Sequence, residues 1–188
     1  MFQISMDTKI VTAGTDAAMK REFKRQIIEL LDHHRIMTVA TNRADGWPQA
    51  TIVGYANDGL IVYFLIGRTS QKFANITRDA RVSAAIGNDY PQPLQIKGLS
   101  MAGRVTEVQD KDEIEHVAEI LLRRYPEYRS MPRPDPAEIP LMRLTPEIVS
   151  ILDYSQGFGH TDLVRVTDAD LAEHVKSARH RWVDYHAA

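Results

Sequence analysis

The spacing of apolar residues changes period several times along the chain, and each change predicts an element. From about residue 16 to 34, Met19, Phe23, Ile27, Leu30 and Leu31 recur at helical spacing with Lys20, Arg21, Lys24 and Glu29 between them, which predicts an amphipathic helix. His33 and His34 fall at its C-terminal end, where a positive charge complements the helix dipole. Two β-branched runs, residues 35–41 and 48–55, then flank Asp45-Gly46 and predict a hairpin, with Pro48 at a strand start where no ladder donor is needed. A second turn at Asn57-Asp58-Gly59 leads into the apolar run 60–66, so the pattern predicts a three-strand antiparallel meander.

Beyond a short helix from Ser70 to about Arg78-Asp79, residues 80–86 alternate as a fourth strand, and 88–93 form a turn-rich loop. Residues 94–108 read as one long strand bent at Gly98 or Gly103, because glycine inside a strand marks a bulge or corner. Asp110 with Glu113 approximates a capping box for a helix whose stripe is Ile114, Val117, Leu121 and Leu122. Residues 126–140 contain Pro126, Pro132, Pro134, Pro136 and Pro140, a stiff connection able to act as a lid. Strands are expected at 141–144, 147–154 and 163–166, with the loop 155–162 between the last two. Thr167, with Asp170 at N3, caps a closing helix whose face carries Leu171, Val175, Ala178, Trp182 and Tyr185. Residues 1–14 lack periodicity and read as an arm that needs a surface to dock on.

A chain of 188 residues with 44% apolar content predicts one domain with a real core. Its 23 basic and 25 acidic residues give a net charge of −2 without a basic block, so the sequence makes no case for nucleic-acid or anionic-membrane binding. No cysteine occurs, which removes disulfides and thiol chemistry and leaves redox work to a bound cofactor. Neither a signal segment nor a run of ~20 apolar residues is found, and the expected location is cytoplasmic.

The chemistry concentrates where the buried run 60–66 breaks at Gly67 into Arg68, Thr69, Ser70, Gln71 and Lys72. Ser70 can cap the helix that follows, while the first helical N–H groups and the side chains of Arg68, Thr69 and Lys72 converge on an anion such as a phosphate. No P-loop or dinucleotide fingerprint accompanies this turn, and no catalytic triad motif or paired-histidine metal motif is present.

The order helix, meander, Thr69-Ser70-Gln71-Lys72 turn, strand, bent strand and helix resembles the pyridoxamine 5′-phosphate oxidase-like family of flavin-binding split barrels. Arg78-Asp79-Ala80-Arg81-Val82-Ser83 and the spacing of Gln95 from Arg104 carry the same resemblance, which is best over residues 23–125. It implies a mainly β fold with flanking helices, a six-stranded antiparallel split β-barrel binding FMN. The implied cofactor positions are Thr51, Ile52 and Val53 of the second strand, Leu65 and Ile66 of the third, Arg68, Ser70, Gln71 and Lys72 of the turn, and Gln95 near the flavin ring. Gln71 and Thr51 stand where the family commonly has arginine, and Arg68 is expected to compensate by reaching the phosphate.

The C-terminal segment containing Arg179, His180 and Trp182 departs in order from the oxidase's substrate motif, which points to a substrate other than pyridoxamine phosphate. The resemblance implies an FMN-dependent oxidoreductase for an unidentified small molecule. The alternatives are a flavin carrier or redox sensor, or a relative that binds the deazaflavin F420 or haem. A homodimer holding the flavin at the subunit boundary is expected, because six short strands fill their own interior and leave a ring system outside.

Overall fold

The computed structural model describes residues 19–172. In chain order the elements are α1 (Arg21–His33), β1 (Ile36–Asn42), β2 (Pro48–Gly54), β3 (Ala56–Asp58), β4 (Ile61–Leu65), α2 (Gln71–Arg78), β5 (Arg81–Gly87), β6 (Lys97–Glu107), α3 (Lys111–Arg124), β7 (Leu141–Asp153), β8 (Thr161–Arg165) and α4 (Asp168–Ala172). The fold is mainly antiparallel β with flanking helices, and the sheet has eight strands where six were expected.

The sheet runs β2-β1-β5-β6-β7-β4-β3, with β8 also on β7. Its two edge strands, β2 and β3, are consecutive in the chain and separated by Tyr55 alone. A twisted sheet whose opposite edges are one residue apart must curl until they meet, which makes a half-barrel around a single interior. The expected meander is therefore corrected: β1 and β2 form the hairpin, but β4 pairs with β3 and β7 at the other end of the sheet. Hydrophobic pattern fixes strandedness and not the partner, so sequence adjacency was a poor guide to pairing here.

Inward positions alternate as the pleat requires: Met37, Val39 and Thr41 on β1, Val82, Ala84 and Ile86 on β5, and Leu99, Met101 and Val105 on β6 are all buried. Ile27, Ile28 and Leu31 of α1 join the same core. A smaller cluster beneath α3 joins Val117 to Tyr63, Val108 and Leu141.

The bend in β6 lies at Gly103, where the β6–β7 register shifts beside Ala102. A Cβ on Gly103 would stand 2.3 Å from the Thr145 carbonyl oxygen, so only glycine lets the two backbones approach. Pro146 sits opposite this irregularity, and it does not end the strand: the segments expected at 141–144 and 147–154 are one thirteen-residue strand. The long strand begins later than expected, at Lys97, because Pro93–Gln95 form a 3-10 turn.

Capping follows the sequence closely. Asp110 accepts from the Glu113 amide at 2.8 Å, and at the start of α4 the Thr167 hydroxyl accepts from the Asp170 amide while the Asp170 carboxylate accepts from the Thr167 amide and hydroxyl. Asp170 also accepts from the Met19 amide at 2.7 Å, and its carbonyl receives the buried ammonium of Lys24, a residue the helical pattern had assigned to solvent. The expected arm at 1–14 and the stripe from Val175 to Tyr185, with Arg179 and His180, lie outside the described residues.

Gly103→Ala is expected to destabilise the fold by about 3 kcal/mol in urea unfolding, since the added methyl meets backbone rather than a movable side chain. Gly67→Ala, where a Cβ meets nothing within 4 Å, serves as the neutral control.

Candidate functional site

The chain enters α2 at one end of the half-barrel, where β4 and β6 finish and β5 and β7 begin. Ser70 caps α2, its hydroxyl accepting from the Phe73 amide at 3.2 Å, as the sequence implied. The amides of Gln71 and Lys72 precede the helical ladder and point out of the helix end, where the dipole favours an anion. Lys72 is half-buried and makes no hydrogen bond or ion pair among the described residues.

Asn75 fastens this turn to the sheet. Its amide nitrogen donates to the Thr41 hydroxyl at 3.0 Å and to the Gln49 carbonyl oxygen at 3.1 Å, while its own oxygen accepts from Gln71 at 2.9 Å. Gln71, standing where an arginine was the familiar residue, is thus tied to its own helix. Sequence reasoning missed Asn75, although an asparagine in the middle of a short helix, four residues from a glutamine, is a usable signal because asparagine is a poor interior helix former.

Thr51 lies two residues beyond Gln49 on the same face of β2, opposite Val39, so the pleat sets the two side chains about 7 Å apart. Its hydroxyl oxygen is buried and has no hydrogen-bond partner. An unsatisfied buried hydroxyl is costly to the fold. Of its neighbours, Ile52 points outward and is 68% exposed, while Val53 is part of the core. Leu65 is half-buried and Ile66 buried at the mouth of the turn.

Arg68 is engaged elsewhere. Its guanidinium makes a two-pronged pair with Glu107 at 2.8 and 3.1 Å, donates to the carbonyls of Pro136 and Ala137, and lies 5.0 Å from the centre of the Phe73 ring. The Arg68 amide donates to the Glu138 carbonyl at 2.8 Å, so this residue straps the proline-rich segment onto the barrel. Hydrogen bonding to Glu107 raises the Arg68 pKa further. Compensation for Gln71 would require Arg68 to leave Glu107, a partner that no local motif announced.

Gln95 is not brought to this cluster. It is exposed in the 3-10 turn before β6, at the end of the sheet where Gly87 pairs with Gly98, whereas α2 sits at the Arg81 end. The seven residues of β5 separate them by about 20 Å. One ligand meets both only by running the height of the barrel or by taking Gln95 from a second copy.

Among the described residues no cluster of histidine, aspartate and glutamate is arranged to hold a metal, and no helix is long and apolar enough to cross a membrane. The donor set at the start of α2 is an ammonium and two helix-end amides, which suits an anion such as a phosphate.

The family model described as pyridoxamine 5′-phosphate oxidase matches residues 23–152, well over half of the chain, and the protein belongs to that family. No curated protein matches. Among solved structures, the haem binding protein of Mycobacterium smegmatis is similar with a TM-score of 0.66 at 18% identity, over 79% of this chain and 60% of that one. A protein of unknown function from Agrobacterium tumefaciens aligns with a TM-score of 0.62 at 23% identity, over 85% of this chain and 64% of its own. General Stress Protein 26 of Bacillus anthracis gives 0.58 at 16% identity, over 77% and 99%. The chain thus spans less than two thirds of the first two, and identities this low establish a shared fold.

Asn75→Ala should lower stability by about 1–3 kcal/mol, because it strands the buried Thr41 hydroxyl and frees Gln49 and Gln71. Thermal denaturation with unchanged far-UV circular dichroism at low temperature would report that loss without a change of fold.

Proposed function

We propose that this member of the pyridoxamine 5′-phosphate oxidase family is an FMN-dependent oxidoreductase acting on a small molecule, with the FMN phosphate held at the start of α2. The observation that carries the reading is the start of α2, where Ser70 caps the helix and the half-buried Lys72 makes no hydrogen bond or ion pair among the described residues. A phosphate there would accept from the Gln71 and Lys72 amides and from the Lys72 ammonium. When bound, the flavin supplies hydride and electron transfer, chemistry that a chain without cysteine does not offer from its own side chains. The residues of this chain anchor and orient it: Asn75 holds the helix end against β1 and β2, and the Arg68 strap keeps the proline-rich segment over the same end of the barrel.

The same reading includes a homodimer. The outer face of the sheet carries two cross-strand rows in register, Ala50–Ala40–Ser83–Ala102 and Ile52–Thr38–Ala85–Ser100. Neither row contains a charge, six of the eight residues are exposed, and small side chains let a second sheet approach closely.

Haem is the competing ligand, supported by the likeness to the mycobacterial haem binding protein. The absorption spectrum of the purified protein separates the two, because flavin maxima and a Soret band do not overlap in shape.

Lys72→Ala is expected to weaken FMN binding by roughly 1.5–3 kcal/mol with the fold intact. Thr51→Val should raise the stability of the ligand-free protein by about 1 kcal/mol in urea unfolding, through removal of an unsatisfied buried hydroxyl. Equal FMN affinity in Lys72→Ala and wild type, measured by fluorescence titration at moderate salt, would defeat the phosphate assignment. For the dimer, Ala85→Arg places a charge in the middle of the uncharged face and is expected to shift the light-scattering mass at low micromolar concentration from dimer to monomer. A wild-type protein that is monomeric yet retains flavin would refute the shared site.

A further inference from the structure

The proline-rich segment lies on the barrel without packing into it. Residues 126–139 are exposed throughout, and none of them belongs to either apolar cluster. Both ends are fixed. On the α3 side Tyr128 stacks on Tyr125 with ring centres 4.9 Å apart, and where β7 begins the Leu141 carbonyl accepts from the Val108 amide at 2.9 Å. Past Met131, whose amide donates to the Tyr128 carbonyl, every hydrogen bond that joins residues 132–139 to the rest of the chain is made by Arg68, among the described residues.

The segment builds its own receiver for that residue. The Asp135 carboxylate accepts from the Ala137 amide at 2.8 Å, and its carbonyl accepts from the amides of Glu138 and Ile139 at 2.9 and 2.8 Å. This turn, stiffened by Pro134 and Pro136, aims the successive carbonyls of Pro136, Ala137 and Glu138 at Arg68. Arg68 meets them with Nη2, Nε and its own amide at 3.1, 3.0 and 2.8 Å. Glu107 makes no hydrogen bond to the segment; it holds the guanidinium from the β6 side at 2.8 and 3.1 Å and so sets the direction of the fork. A stretch that buries no apolar surface opens at low cost once such bonds are lost, and a proline-rich chain bends little within itself and moves as one piece.

We infer that residues 132–139 form a hinged lid at the α2 end of the barrel, latched by Arg68, with Glu107 as the positioning residue of the latch. The lid turns about its two fixed ends and opens without disturbing the core, because Arg68 and Glu107 lie outside both apolar clusters. Arg68 stands two residues before the Ser70 cap, so the lid closes beside the start of α2. That it gates entry of a ligand there rests on the phosphate reading above; the latch itself does not.

The experiment follows two events on the full chain: deuterium exchange of the residue-68 amide, which is covered when the lid is shut, and Glu-specific proteolysis read by mass at the Glu138–Ile139 bond. Arg68→Ala is expected to speed both by roughly tenfold with the far-UV circular dichroism unchanged. Arg68→Lys should restore little, since an ammonium lacks the planar fork. Glu107→Gln should give a smaller rise, roughly threefold, and carries the same test should Arg68→Ala lose its fold. Arg104→Ala, which removes an exposed pair with Glu147 elsewhere on the barrel, should leave both rates unchanged. Unchanged exchange and cleavage in Arg68→Ala and Glu107→Gln, or an equal rise in Arg104→Ala, would overturn the latch. Stopped-flow association of FMN is expected to be faster in Glu107→Gln than in wild type, and an equal rate would overturn the gating role. Failure of FMN to bind any form would count against the cofactor reading, while exchange and cleavage would still decide the latch.

Discussion

Everything in this fold depends on closing the sheet at Tyr55. The residue is wholly buried, and it is the only one between the two edge strands. Its hydroxyl donates to the Leu31 carbonyl at 2.7 Å, its amide and carbonyl are held by Tyr125, and the Arg124 guanidinium lies 4.9 Å from its ring centre. Burial pushes the phenol well above its ordinary pKa, so it remains a donor. Arg124 in turn donates to the carbonyls of Leu31 and His34 at the end of α1. The junction thus binds α1, α3 and both sheet edges into one unit, and the backbone groups exposed by curling the sheet find partners there.

That closure also sets the two ends apart. At one end the strands converge on α2, where an asparagine and a serine hold the helix start and leave a lysine and a threonine hydroxyl without protein partners. At the other, α1 and α3 finish side by side, and Tyr125, which helps lock Tyr55, stacks on Tyr128.

Arg68 illustrates how a charge is reassigned by its surroundings. In isolation, a guanidinium four residues before a lysine at a helix start reads as a phosphate ligand. In the folded chain Glu107 arrives from β6 and the carbonyls of Pro136 and Ala137 arrive from the proline-rich segment, and together they saturate it. A fixed planar fork with several acceptors in reach adopts the geometry that uses most of its donors.

The sequence by itself determined the local events: the amphipathic first helix, the Asp45-Gly46 hairpin, the Ser70, Asp110 and Thr167 caps, and a glycine-marked bend in the long strand. Each depends on residues within a few positions of one another, whose period and backbone preferences are written in the chain. The family resemblance, carried by the turn at Ser70 and the segment after α2, reached further and anticipated the curled sheet. Tertiary structure alone decided that β4 pairs with β7 rather than β2, that residues 141–153 form one strand through Pro146, that Lys24 is buried, and that Gln95 stands a barrel's height from Lys72. Pairing partners, the acceptors that capture a long cationic side chain and the hydroxyl left without one are set by contacts between distant segments, and neither periodicity nor spacing encodes which segments meet.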